Sequence, residues 1–310
     1  MRNAMTNAAT NAATNAATNA TTNGATIIAL AATLALGAGS ALAPALAAAH
    51  AGKAGYALAD DGATLVTMAD IAMPGDVQTF DLETPLRAIA YRPVTGELVG
   101  FADGAIYTVD PMTGTLTDAG ATFMDDATIA GGAAVALDFN NAIDAVRAVS
   151  SNGDNLVYFP EGFGEGDERA NSVRRFTDAF YADGDANVGT QPMIFANAYT
   201  NAISGSTAES TAQYALDAGT DSLVTLANNE GTLATVGKIT VDGSEVDIAA
   251  TGGFDIVSPA EGTDEAYAIL QVEGEETAGL YAIDLASGAA TRLGDLGMGG
   301  FSGFAVSMGM

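Results

Sequence analysis

The chain has 310 residues, no Cys, no Trp and one His, His50. Its 38 acidic side chains outnumber 10 basic ones, for a formal charge of −28 at pH 7. That charge repels nucleic acid and anionic membrane surfaces, which excludes both as expected partners, and without Cys no disulfide holds the fold.

The first 51 residues contain no Asp or Glu, and their only basic side chain is Arg2. Residues 3–23 repeat Asn-Ala-Ala-Thr, too polar and too small-sided to bury a core. An apolar run from Ile27 to Leu36 follows, then Ala-rich sequence through Ala51. A basic residue, a short apolar segment and an A-x-A ending read as a secretory signal. Cleavage is expected after Ala51, at Ala49-His50-Ala51, with Ala45-Leu46-Ala47 as the second choice. The competing reading is an uncleaved anchor over residues 27–51, but Ala is weakly apolar and Gly and Pro interrupt the run. Residues 1–51 are therefore assigned as signal peptide and 52–310 as one domain, exported to the periplasm or beyond, with no membrane insertion after cleavage. Without Arg2, nine basic side chains face all 38 acidic ones, a charge of −29. Without His50, the mature chain has neither His nor Cys. A Ser-His-Asp triad, a Cys nucleophile and ordinary zinc, copper or haem ligation are then excluded. Carboxylate chemistry and an oxygen-ligated cation such as calcium stay open.

From Gly55 onward, short alternating apolar runs and Gly-rich turns predict strands, with no helical period. "DDG" at 60–62, "ADG" at 102–104 and "SNG" at 151–153 are hairpin signals. Five segments align without gaps: "AIAYR" (88–92), "ALDFN" (136–140), "ANAYT" (196–200), "GFDIV" (253–257) and "GFAVS" (303–307). Their first column is always small and their fourth always apolar or aromatic. A spacing of about fifty residues matches four-stranded propeller blades. Each of the first four segments is followed by three more strand candidates. The last has only Met308-Gly309-Met310 behind it, while the N-terminal region supplies three strands and no first. Joining these ends gives an all-β, five-bladed β-propeller in which the C-terminal strand closes the N-terminal blade. Six or seven blades would need strands hidden at 159–172 or 240–251.

Several blocks also resemble the domain-of-unknown-function 4394 family of exported bacterial proteins, over about 55–308. They are "LRAIAYRPVTGELVGF" (86–101), "ALDFNNAIDAVRAVSSNGDNL" (136–156), "YADGDANVGTQPMIFANAYTN" (181–201), "TDSLVTLANNEGTLATVG" (220–237) and "GLYAIDLASGAATRLG" (279–294). The most specific part is central: Asp144, Arg147, Asn155, Gly184, Asp185, Asn187, Gly189 and the run Ala198-Tyr199-Thr200-Asn201. Two positions depart from the family pattern, Asn141 in place of Pro and Val157 in place of Arg. The resemblance implies a propeller-like fold and export, and carries no activity.

Candidate sites fall on one loop face, shared by second-to-third strand turns and blade crossovers. The crossover "YADGDANVG" (181–189) places Asp183, Asp185 and Asn187 as candidate calcium ligands. It fails the EF-hand pattern at Val188 and Ile194, so an Asx-rich turn is the preferred reading. The turn "SSNGDN" (150–155) should face it, making Asn152, Asp154, Asn155 and Arg147 the candidate ligand-binding set. In the third aligned column, Asp138 and Asp255 stand among Ala90, Ala198 and Ala305. They are the candidate acid/base pair, against a structural reading in which each caps neighbouring backbone. Arg87 and Arg92 are candidate partners for that pair, Arg147 is expected in an ion pair between blades, and Arg174 and Arg175 in a local salt-bridge cluster. The expected role is binding or scaffolding, with a polysaccharide, peptide or protein partner. The alternatives are a carboxylate-based hydrolase or lyase, with or without calcium, and a surface-layer component.

Overall fold

The computed structural model describes residues 50–308. Apart from His50 and Ala51, the expected signal segment lies outside the described residues. Among them the regular elements are strands and one 3-10 turn at Asn228–Glu230. No helix among them is long and apolar enough to cross a membrane.

The strands form five separate sheets whose innermost strands touch in succession around a ring. The protein is therefore a five-bladed β-propeller. In the first blade the inner strand is Gly303–Ser307, followed outward by Ala54–Ala59, Thr64–Met68 and Val77–Asp81. The second runs Ala88–Arg92, Glu97–Ala102, Ala105–Val109 and Leu116–Asp118. The third runs Val135–Asn140, Ala145–Ser150, Asn155–Phe159 and Ser172–Arg175, and the fourth Ile194–Tyr199, Gln213–Asp217, Ser222–Ala227 and Thr232–Lys238. The fifth runs Ile248–Ala260, Thr263–Val272, Gly279–Ile283 and Ala289–Asp295. The C-terminal strand pairs antiparallel with Ala54–Ala59, in the register Gly55 to Val306 and Ala57 to Phe304. Closure by both chain ends leaves no blade for a sixth place. Residues 159–172 contribute turns, and the Thr240–Val241, Ser244–Glu245 hairpin merely extends the fifth sheet.

One feature was not legible in the sequence. Three crossovers add a short parallel strand to the rim of the blade they approach: Thr122–Phe123, Phe180–Tyr181 and Thr240–Val241. Two residues are too few for an alternation pattern, so only the partner strand defines them.

The core is divided into layers between blades. Separate apolar clusters join first to second, second to third, third to fourth, fourth to fifth and fifth to first. Tyr267 and Tyr281 are fully buried and Tyr56, Tyr107 and Tyr214 half-buried against these layers, so the recurrent tyrosines serve packing.

Turn chemistry follows the sequence. In "DDG" all three residues take positive φ, and a Cβ on Gly62 would lie 1.7 Å from the Leu86 carbonyl oxygen. Only glycine lets this turn press on the next crossover. The small first column has a similar reason. A Cβ on Gly253 would come within 2.3 Å of the Phe304 backbone nitrogen, where inner strands converge on the axis. Gly253→Ala should therefore cost about 1–3 kcal/mol by overpacking. A loss under about 0.5 kcal/mol in urea unfolding would show that the inner strands move apart freely.

Candidate functional site

The junction of the third and fourth blades gathers most of the candidate residues. Arg147, on the second strand of its blade, is 4% exposed. Its Nε donates to Tyr199 Oη at 2.8 Å, Nη1 to Asn155 Oδ1 at 2.5 Å and Nη2 to Asn229 Oδ1 at 2.8 Å. Asn155 Nδ2 in turn donates to the Thr177 and Asn228 carbonyls. Tyr199 Oη lies 2.9 Å from Gln213 Oε1 and 2.8 Å from Asn228 Oδ1, either of which can take its proton. Burial raises the Tyr199 phenol to about 12. The expected ion pair of Arg147 is not formed: every side-chain acceptor here is neutral. Asp144 instead binds Arg92 of the second blade at 2.5 Å. The strand alternation that turns Arg147 into the blade interface turns Asp144, in the preceding turn, toward the opposite neighbour.

Asp138 and Asp255 lie near the axis, each 4% exposed. Asp138 Oδ2 accepts the Tyr199 N–H at 2.6 Å, and Asp255 Oδ2 accepts the Val306 N–H at 2.5 Å. Tyr199 and Val306 hold the same column in their strands, so each Asp staples its blade to the next in the same way. Asp255 Oδ1 also accepts the N–H of Ile256. Burial pushes the Asp255 carboxyl up to about 7. Burial, reinforced by the Asp255 charge, raises Asp138 well above the ordinary carboxylate range. The cavity touching Asp255 is about 10 Å³, room for a single water and for no substrate. Neither Arg87 nor Arg92 reaches this pair. Arg87 binds Asp103 and three carbonyls, while Arg92 binds Glu97 and Asp144. Arg87 precedes its strand and Arg92 ends it, three and two residues from Ala90, which holds the place of the two Asp in that blade.

The crossover "YADGDANVG" divides its three oxygen-bearing side chains. Asp185 accepts from the Asn187 N–H at 2.8 Å, from the Thr235 N–H at 2.7 Å and from Thr235 Oγ1 at 2.9 Å. These donors hold its carboxyl below the ordinary range despite opposing burial. Asn187 donates to Thr235 Oγ1, and Asp183 is exposed. The run ties the crossover to the outer strand of the fourth blade. Residues flanking the run reach "SSNGDN": Ala179 donates its N–H to the Gly153 carbonyl at 2.7 Å and Gln191 its side chain to the Asn152 carbonyl at 3.1 Å. Among the described residues no three His, Cys, Asp or Glu side chains gather closely enough to hold a metal ion. In the facing turn, Asn152 is exposed, whereas Asp154 accepts from Ser150 Oγ and Arg175. Arg175 thus reaches Asp154 and Asp178, and only Arg174 pairs within its own loop, with Glu168 at 3.7 Å.

A further feature of this face lies on the axis, and sequence reasoning did not find it. A basin of about 640 Å³ is lined from all five blades. Leu86, Val135, Phe195 and Phe301 form an apolar floor, with Met193 on its edge 43% exposed. Asp61, Arg87 and Asp103 supply charge. Thr251 and Ser302 also line it, but their hydroxyl oxygens are buried behind its surface, without a hydrogen-bond partner in the protein. Size and lining fall within the range of small-ligand sites. Its residues come from the starts of five inner strands and from hairpin tips, positions with no common sequence pattern. The small aligned columns that narrow the axis are the one signal that bears on it.

Fold and basin define the class: a propeller with a ligand-sized mouth on its axis. The family model for the domain of unknown function DUF4394 matches residues 64–305, and the chain belongs to that family. No curated protein matches it. Among solved structures, an auxiliary nutrient binding protein from Bacteroides ovatus is 14% identical over 69% of this chain and 55% of its own, at a TM-score of 0.40. The chain thus spans little more than half of that protein. A protein of unknown function from Bacteroides caccae is 8% identical, over 83% of this chain and 99% of its own, at 0.39. A further protein of unknown function, from Bacteroides thetaiotaomicron, is 13% identical over 81% and 58%, at 0.41.

Proposed function

We propose that this propeller is an exported binding module that takes its ligand in the axial basin. One observation carries the reading: five blades converge on a cup of about 640 Å³ with an apolar floor and a charged rim, the size and lining of a small-ligand site. The enzyme alternative has less support, because both axial carboxylates are capped by backbone donors and the cavity touching Asp255 has no room for a substrate.

Ala133 stands half-buried in the basin wall. A thermal-shift screen of peptides and oligosaccharides should find a ligand that raises the midpoint by roughly 5–10 °C at a hundredfold excess over its Kd. Ala133→Trp, which fills the cup, should abolish that shift. A shift that survives the substitution would place the ligand elsewhere. In the same screen calcium should raise the midpoint no more than magnesium at equal ionic strength, since Asp185 already has its donors; a calcium-specific rise reversed by a chelator would reinstate the crossover as a metal site.

A further inference from the structure

We infer that a second site, independent of the axial basin, lies between the second and third blades and takes a neutral pyranose ring. A cleft of about 320 Å³ opens there. It sits at the opposite ends of the strands from the basin. Arg92 ends the inner strand of the second blade, and Pro160 follows the third strand of the third blade, whereas the basin is lined by residues at the starts of inner strands. Its volume is at the lower end of small-molecule sites, which suits a ligand of one ring.

Val99 and Ile106 give the cleft an apolar wall from the second blade, across from Phe139 and Tyr158 of the third. Strand alternation sets Thr108 on the same side as Ile106, and Thr117 stands opposite Thr108 in the register. Thr108 is half-buried and Thr117 exposed, and neither hydroxyl bonds to another of the described residues. The repeat does not require the first of them. Aligning "IYTVDPMTGTLT" (106–117) with "LYAIDLASGAAT" (280–291) puts Ala282 in the place of Thr108, and Ala282 packs into the apolar layer between the fifth and first blades. Arg92 also lines the cleft. Its guanidinium makes two bonds to Asp144 and one to Glu97, which leaves two of its five N–H groups. Glu97 receives Arg92 and Thr95 on Oε2, so Oε1 has no partner among the described residues. An anion finds no spare positive charge here, because Arg92 already meets two carboxylates. An ammonium would face the guanidinium itself, and like charges brought together are costly. A neutral ligand remains, and it must meet donors, acceptors, two hydroxyls and an apolar wall together. A pyranose has that composition, with hydroxyls around its edge and C–H groups on its face.

Saturation-transfer NMR and isothermal titration of the full chain test this with the methyl pyranosides of glucose, galactose and mannose, each beside its uronate and its amino-sugar counterpart. At least one pyranoside should bind at millimolar concentration or tighter, and its charged counterparts at least about tenfold more weakly. Thr108→Val combined with Thr117→Val removes both hydroxyls and keeps β-branched side chains, so the strands should hold. The pair should weaken the pyranoside at least about tenfold. Thr117→Trp, at an exposed position of the outer strand, should abolish binding by filling the mouth, and it carries the test if the double variant misfolds. Ala133→Trp should leave pyranoside binding unchanged. The inference is overturned if no pyranoside binds, if the charged counterparts bind equally well, or if the threonine variants bind as the wild type does. Pyranoside binding that is lost in Ala133→Trp and kept in the threonine variants would put the sugar in the basin, so that the basin reading alone would stand.

Discussion

Arg147→Ala is expected to lower the thermal midpoint by roughly 10 °C, a loss of about 3–5 kcal/mol. The guanidinium serves Tyr199, Asn155 and Asn229 together, and it is nearly free of solvent. Truncation leaves two buried acceptors, on Tyr199 and Asn155, without a charged donor and opens a void beside Phe176, whose ring centroid lies 5.6 Å from the guanidinium carbon. The apolar layer at this junction is also modest, so the polar network has fewer contacts to share the load with. Arg147→Met separates the two contributions. It refills the void and removes the cost of burying a charge, so it should recover part of the loss. Arg147→Lys should not recover more than Met, because one ammonium cannot fork to three partners. A midpoint change below about 2 °C for Arg147→Ala would show that the network is incidental to the fold.

Stability should fall as pH rises from about 5 to 8, through the axial carboxylates. Burial lifts Asp255 to about 7 and Asp138 in the same direction. The folded state therefore holds protons that the unfolded chain releases near pH 4. For a carboxyl raised in this sense, the stabilisation is complete below the unfolded pKa and is lost as pH climbs through the folded one. A rise of about three units in one buried group corresponds to about 4 kcal/mol at most. Asp185 and Glu265, lowered by their hydrogen bonds, act oppositely and lose their contribution as pH falls toward 3. A maximum near pH 5 results. Asp255→Asn should be less stable than wild type at pH 5, because its amide turns a donor toward an N–H of Ile256 or Val306. It should also be flatter with pH, so the gap narrows by pH 8. Parallel profiles for the two proteins, measured by denaturant unfolding, would mean that Asp255 does not titrate in this range.

What sequence could reveal depended on whether the information was periodic. Five aligned segments, with small first and apolar fourth columns, specified the inner strands and their number, because every blade meets the same axis under the same steric limit. Chain ends lacking one strand and three strands respectively demanded closure, since a sheet edge left open costs unpaired backbone groups. The carboxylates of the third column were visible for the same reason, and so was their capping of adjacent backbone as an alternative to catalysis. Asp185 in its Asx-rich turn was legible too, because local turn chemistry needs only neighbours in sequence.

Partners across the ring were decided by the tertiary structure alone. Arg92 and Asp144 are 52 positions apart and meet because the second and third blades stack. Arg147 finds Tyr199 through the next junction, where register rather than charge sets who faces whom. The basin leaves little linear trace, since short segments from five blades enclose it together. Composition, repeat and turn residues follow from forces that act along the chain, and by themselves they determined an acidic five-bladed ring. The occupant of its mouth depends on which side chains the ring's curvature brings together, and that is settled only when the last strand closes on the first.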